Sequence, residues 1–189
     1  AKAGAAVVIN DLPGAGDEAA DEVKALGGTA VVVSGDVGER ATADAMVAAA
    51  EKLGGLDIVV NNAGITRDKM IFNMTDDEFD LVTKIHLRGH CLLSRNAAAY
   101  WRAKHKETGE QVYGSIINTA SEASLSGSPG QPNYAAAKMG IIGLSKSIAL
   151  DMQRFGVRSN CVSPFAWSRL IGTLTPATPE QKARVERIQ

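Results

Sequence analysis

Residues 5–34, AAVVINDLPGAGDEAADEVKALGGTAVVVS, decide the fold. A short β-branched run over 5–10 meets a Pro13-Gly14 turn, a helical stretch with early acidic residues covers 17–26, and a second β-branched run occupies 29–34. Both runs are almost continuously apolar, so each strand needs cover on both faces, and a helix between two such strands returns the chain in parallel.

The same rhythm continues along the chain. A helix over 40–53 leads to a strand over 56–60, LDIVV. Thr75 and Glu78 have the T-x-x-E spacing of a capping box, which opens a helix that bends near Gly89 and runs to about Lys104. Residues 105–111 are polar and read as a loop. A strand over 115–120, SIINTA, a long helix over 133–155 and a strand over 157–162 complete the order. The expected class is α/β, a doubly wound parallel sheet in three α/β/α layers, as one domain over 1–189.

Of the 189 residues 45% are apolar and 22% charged, the composition of a soluble α/β protein, and a net charge of −1 gives no footprint for nucleic acid or an anionic membrane. No apolar run has the length of a membrane span, and the first residues lack the anatomy of a signal peptide, so a cytoplasmic location is the default. Cys91 and Cys161 lie far apart without a C-x-x-C spacing, which suggests buried thiols in a reducing compartment rather than redox or zinc chemistry.

Parallel sheets bind ligands beyond the carboxyl ends of their strands, and Asp11, Asp36, Asn61 to Gly64, Ser121 and Pro164 each follow a strand. Gly14, Gly16 and Ala19 satisfy G-x-G-x-x-A, with Asp36 about twenty residues on, as in a dinucleotide fingerprint. Asp17 and Glu18 in the first helical turn, with Asp11 nearby, would repel a pyrophosphate, so the motif reads as a turn and a helix start. Asp11 reads either as an acceptor for an adenosine ribose, which favours NAD(H) over NADP(H), or as a turn residue before Pro13. Asn61-Asn62-Ala63-Gly64 lets backbone approach a ligand, with Asn amides able to pin a neighbouring strand or loop, or is only a turn.

Tyr134 and Lys138 stand at i and i+4 in a helix-forming run, with Ser121 thirteen positions earlier at a strand end. An ammonium stacked a turn from a phenol favours phenolate and moves its pKa toward working pH, and a Ser hydroxyl holds the oxygen that exchanges the proton. This set suits interconversion of a ketone and a secondary alcohol; the competing reading is an exposed amphipathic pair. His86, His90 and Cys91 share a helix, but no carboxylate completes a metal site, so no metal is expected.

Asp36-Val37, Asn61-Asn62-Ala63-Gly64, Ser121, Tyr134-Ala-Ala-Ala-Lys138 and Asn160-Cys-Val-Ser-Pro164 together resemble the short-chain dehydrogenase/reductase family in order and spacing. The resemblance implies a Rossmann-like fold with Tyr134 as catalytic acid/base, Lys138 lowering its pKa and binding the nicotinamide ribose, and Ser121 orienting the substrate. It further implies that Asp36 and Val37 border the adenine, and that Asn62, Ala63 and Gly64, with Pro164, line the cofactor cleft. Residues 61–68, NNAGITRD, are similar to 3-oxoacyl thioester reductases; 85–89, IHLRG, and 168–170, SRL, are similar to the hydroxyacyl-CoA dehydrogenase part of multifunctional β-oxidation enzymes. Both suggest a small-molecule acyl thioester substrate.

Three departures stand out. The family's glycine-rich TGxxxGIG loop and its strand are absent, so 5–10 corresponds to the second strand, and the sequence stops before the family's last helix and strand; the natural protein is expected to carry further residues. His86 stands where many members have a catalytic Asn, and is either the holder of a relay water or a passive helix residue. Phe165 replaces a frequent glycine after Pro164, with Trp167 close behind. The resemblance also implies a homotetramer or homodimer through the helices around 80–104 and 133–155. A catalytically silent nucleotide-sensing or scaffolding protein on the same fold is the alternative; a Ser121 hydrolase ranks last, because no G-x-S-x-G elbow surrounds it.

Overall fold

The computed structural model describes residues 1–164. Strands β1 (Val7–Asp11) and β2 (Ala30–Ser34) pair in parallel, with Val7 opposite Ala30 and Asp11 opposite Ser34. Helix α1 (Asp17–Ala25) crosses between them and buries Ala20. Gly16 caps its start, and a Cβ there would stand 3.0 Å from a Val32 methyl. That glycine therefore serves close packing of helix on strand, which accounts for the misleading G-x-G-x-x-A pattern without any phosphate.

Helix α2 (Arg40–Lys52) leads to β3 (Ile58–Asn61), which pairs in parallel with β4 (Ser115–Thr119), itself parallel to β5 (Arg158–Val162). The expected single sheet appears as two, β1-β2 and β3-β4-β5. β1 and β3 do not pair, and the interval falls where the resemblance puts one further strand. The α/β class with parallel strands stands as read.

The central helices are α3 (Asp76–Thr83), α4 (Gly89–Thr108), the short α5 (Ala123–Ser126) and α6 (Pro132–Met152). The capping box is complete: Glu78 N–H donates to Thr75 Oγ1 at 3.2 Å, and Thr75 N–H to Glu78 Oε2 at 3.0 Å. The expected bend near Gly89 is a π-helical turn, Lys84–Arg88, between α3 and α4. The loop expected over 105–111 begins later, because helix continues to Thr108 and stops at Gly109, whose φ of 74° suits a residue without a side chain.

Trp101 anchors the core with Val59, Ala97, Ile116, Met152, Phe155 and Val157, and donates from Nε1 to the Leu56 carbonyl at 2.6 Å. A buried polar ladder crosses the sheet beside it. Asn61 Nδ2 donates to Ser94 Oγ and Asn118 Oδ1, Asn118 Nδ2 donates to Ser159 Oγ, and Ser159 shares a hydrogen bond with Ser145. The two cysteines correct their expectation, since both are exposed. Cys91 is turned to the outer face of α4 between buried His90 and Leu92, and Cys161 lies on a strand with a neighbour on one side only among the described residues.

Candidate active site

Three parallel strands end at one rim and deliver the site. β4 ends at Thr119, two residues before Ser121, and α6 begins at Pro132, so Tyr134 sits in its first turn and Lys138 one turn deeper. Asn133 secures that start: its buried side chain donates to the carbonyls of Arg67 and Glu78 and accepts from the Tyr134 N–H at 2.7 Å. The sequence reading passed over Asn133; an amide beside the Tyr at a helix start was its one signal.

The Ser121 hydroxyl lies beside the Tyr134 phenol and acts to lower its pKa. Lys138 is 2% exposed, and its Nζ donates to the Thr119 carbonyl at 2.6 Å while lying 5.5 Å from the centre of the Tyr134 ring. Sequence brings no attention to Thr119, whose contribution is a backbone oxygen. The ammonium thus sits beside the ring and not on its hydroxyl. Among the described residues it has no carboxylate partner.

This geometry corrects one expectation. Tyr134 does not titrate low: burial pushes its phenol above the usual value, the Ser121 hydroxyl partly opposes that, and Asp68 pushes further up. Burial of the phenol is the larger effect and outweighs what opposes it. Burial acts on the amine in turn and lowers Lys138 to about 8.

His86 belongs to this cluster. It is 1% exposed, it meets the Tyr134 ring edge-on with centroids 5.1 Å apart, and its Nε2 lies 2.7 Å from the Ile65 carbonyl and 3.1 Å from the Ile65 nitrogen. The π turn that carries it is pinned outward as well. Lys84 Nζ contacts Asp36 Oδ2 at 2.9 Å and Glu39 Oε1 at 2.6 Å, and Arg88 Nε donates to the Gly38 carbonyl. Burial pulls Asp36 upward, but Lys84 and the Gly38 N–H outweigh it and hold the carboxyl below its ordinary range.

The remaining candidates sort by distance from this centre. Asn62 accepts from Thr119 Oγ1 at 3.0 Å, and Gly64 backs directly on the His86 imidazole, so the strand-end Asn-Asn-Ala-Gly segment, Ala63 included, is fastened to the cluster around Tyr134. Val37 packs where a Cβ on Gly89 would stand 3.0 Å from its side chain, linking the end of β2 to the π turn. Asp11 stands apart on the β1-β2 sheet, exposed, its Oδ1 accepting from the Leu12 N–H. Pro164 is the last described residue and is exposed; Phe165, Trp167 and 168–170 lie outside the described residues. No three of His, Cys, Asp and Glu converge on a metal-binding geometry among the described residues.

A dinucleotide suits this donor set: an exposed carboxylate after one strand, an amide and a side-chain-free backbone after another, and a buried amine for ribose hydroxyls. Comparison with known proteins agrees. The model of the short chain dehydrogenase family matches residues 1–169. A hydroxyacyl-CoA dehydrogenase of Mycobacterium tuberculosis is 52% identical over 190 residues, covering 97% of this chain and 60% of that protein. Peroxisomal multifunctional enzyme A of Dictyostelium discoideum is 40% identical, covering 93% of this chain and 40% of the relative. The crystal structure of a short chain dehydrogenase from Mycobacterium avium superposes with a TM-score of 0.81 at 44% identity, over 86% of this chain and 59% of that one. The chain thus spans about 60% or less of these relatives. Fold, site and family model converge, and the chain belongs to the short chain dehydrogenase family.

Proposed function

We propose that this protein is a nicotinamide-dependent oxidoreductase that interconverts a ketone and a secondary alcohol on 3-oxoacyl and 3-hydroxyacyl thioesters. The observation that carries it is the convergence of Ser121 and the buried Lys138 on the Tyr134 side chain. The bound cofactor would supply or accept the hydride. Tyr134, held as a neutral phenol, gives its proton to the carbonyl oxygen during reduction and recovers it during oxidation. Ser121 aligns that oxygen by the hydroxyl that now lies beside the phenol. Lys138 presents an ammonium to the ribose side, and Asn62 and Gly64 fix the backbone that faces it.

The preference for NAD(H) over NADP(H) rests on Asp11, whose exposed carboxylate accepts ribose hydroxyls and repels a 2′-phosphate. The acyl thioester preference is supported by the names of the relatives, a hydroxyacyl-CoA dehydrogenase among them. The test is nicotinamide absorbance with the full-length protein and a panel of 3-hydroxyacyl-CoA esters, steroids and sugar alcohols. Turnover of the thioesters with NAD is expected; turnover confined to another panel class would overturn the substrate assignment, and none at all would overturn the activity.

A further inference from the structure

The connection from β2 to α2, residues 36–39, is gripped by the π turn. Asp36 closes its own tight turn: its Oδ1 accepts from the Gly38 N–H at 2.7 Å, and its carbonyl from the Glu39 N–H at 3.0 Å. Lys84 reaches across from the π turn, and its Nζ meets Asp36 Oδ2 at 2.9 Å and Glu39 Oε1 at 2.6 Å. Its stem fills the place of a side chain on Gly38, where a Cβ would stand 2.7 Å from the lysine Cγ and 2.8 Å from its Cε. Arg88 Nε adds a bond to the Gly38 carbonyl at 3.0 Å.

Folding stability is a weak reason for this grip. The Lys84 and Asp36 side chains are 36% and 30% exposed, and an ion pair so open to water contributes little to the folded state. Its place in the sheet gives it a second use. Residues 36–39 follow the carboxyl end of β2, the edge at which a parallel sheet receives its ligand, and Asp11 ends the neighbouring β1 with an exposed carboxylate. A carboxylate has about four acceptor positions. Asp36 commits one oxygen to Gly38 and the other to Lys84, which fixes the plane of the group and leaves acceptor capacity on its open side. A group already fixed in its binding orientation loses little freedom when a ligand donor arrives.

We propose that Lys84 is a positioning residue for the adenosine end of the dinucleotide, holding the Asp36 carboxylate in the orientation that accepts the amine of the base. Lys84 acts through Asp36 and not by contact with the ligand. The proposal rests on the nicotinamide-dependent function proposed above and adds a residue to its binding site. The same five-residue turn carries His86 against the Tyr134 ring, so the adenosine rim and the proton-transfer site share one anchor.

The test is NMR titration of the full-length protein with adenosine and with ADP-ribose, in wild type, Lys84→Met, Lys84→Arg, Asp36→Ala and the double variant of Lys84→Met with Asp36→Ala. Adenosine is uncharged and reads the orientation of the carboxylate, whereas ADP-ribose also reads the net charge of the rim. Lys84→Met should weaken both ligands by about fivefold, the upper end for an open ion pair. Lys84→Arg should restore most of that loss, and in the Asp36→Ala background the Met substitution should add nothing. Lys24→Met, which breaks an exposed pair with Asp21, should leave both affinities in place. Weakening of ADP-ribose alone would mean attraction by bulk charge and would overturn the positioning role. So would a Met substitution that costs as much without Asp36 as with it. If Lys84→Met does not fold, Lys84→Gln takes its place. Wild type that binds neither ligand would strike the proposed function, whereas wild type and Met variant binding both ligands equally well would strike the role of Lys84 alone.

Discussion

Gly64 carries no side chain because the His86 ring fills the place where one would grow, and that contact couples the end of β3 to the face of Tyr134. Gly64→Ala should push the imidazole off Ile65, cost about 1–3 kcal/mol by overpacking and lower kcat more than a surface change would; thermal melts and steady-state assays check both. Lys138 makes a second claim at this scale. Its amine is charged below about pH 8 and neutral above, so a reaction that needs the ammonium loses rate as pH rises through that value. In Lys138→Arg the guanidinium stays charged, and the alkaline fall in a kcat profile should vanish even if the absolute rate drops. A wild-type profile flat to pH 10 would show that this charge has no part in turnover.

Elements place these residues through backbone and amide bonds as much as through apolar packing. The ladder Ser94-Asn61-Asn118-Ser159-Ser145 ties α4, three strands and α6 in one register, and Asn118 at its centre is fully buried. Asn118→Leu takes one of two buried hydrogen-bond partners from Asn61 and from Ser159 and should cost about 2 kcal/mol, read as a shifted denaturation midpoint. Of this ladder only the pinning of a neighbouring strand by an amide at 61–62 was legible in sequence; the rest was not, because SIINTA reads as a strand whether or not its Asn finds partners. What was legible had local causes: β-branched runs gave the strands, and Thr75 with Glu78 gave the start of α3. The π turn was visible only as a bend near Gly89, since its shape comes from Lys84 and Arg88 reaching across to the end of β2. The spacing of Tyr134 and Lys138 put the two side chains together, while the direction of the phenol pKa escaped because its burial is set by the tertiary fold.

For the molecule as a whole, two buried neutral histidines, His86 and His90, imply a sensitivity to acid. Their folded pKa values of about 4 and about 3 lie below the unfolded value of 6.5, so protons bind preferentially to the unfolded chain as pH falls from about 6.5 toward 4. Stability should decline over that window by up to ~1.4 kcal/mol per pH unit for each histidine, and His90→Phe should make the decline shallower in urea titrations. No helix among the described residues is long and apolar enough to cross a membrane. Assembly through α4 and α6 is the expectation for this fold, and sedimentation at micromolar concentration would report a tetramer or dimer where a monomer would refute it. The claim on which the rest depends is that the Tyr134 hydroxyl exchanges the proton while hydride moves. The most direct measurement compares wild type and Tyr134→Phe for nicotinamide reduction by a 3-hydroxyacyl-CoA, with cofactor affinity measured in parallel. The account predicts a loss of roughly 10²-fold to 10⁴-fold in kcat with cofactor affinity nearly unchanged; a Phe variant as active as wild type would contradict it.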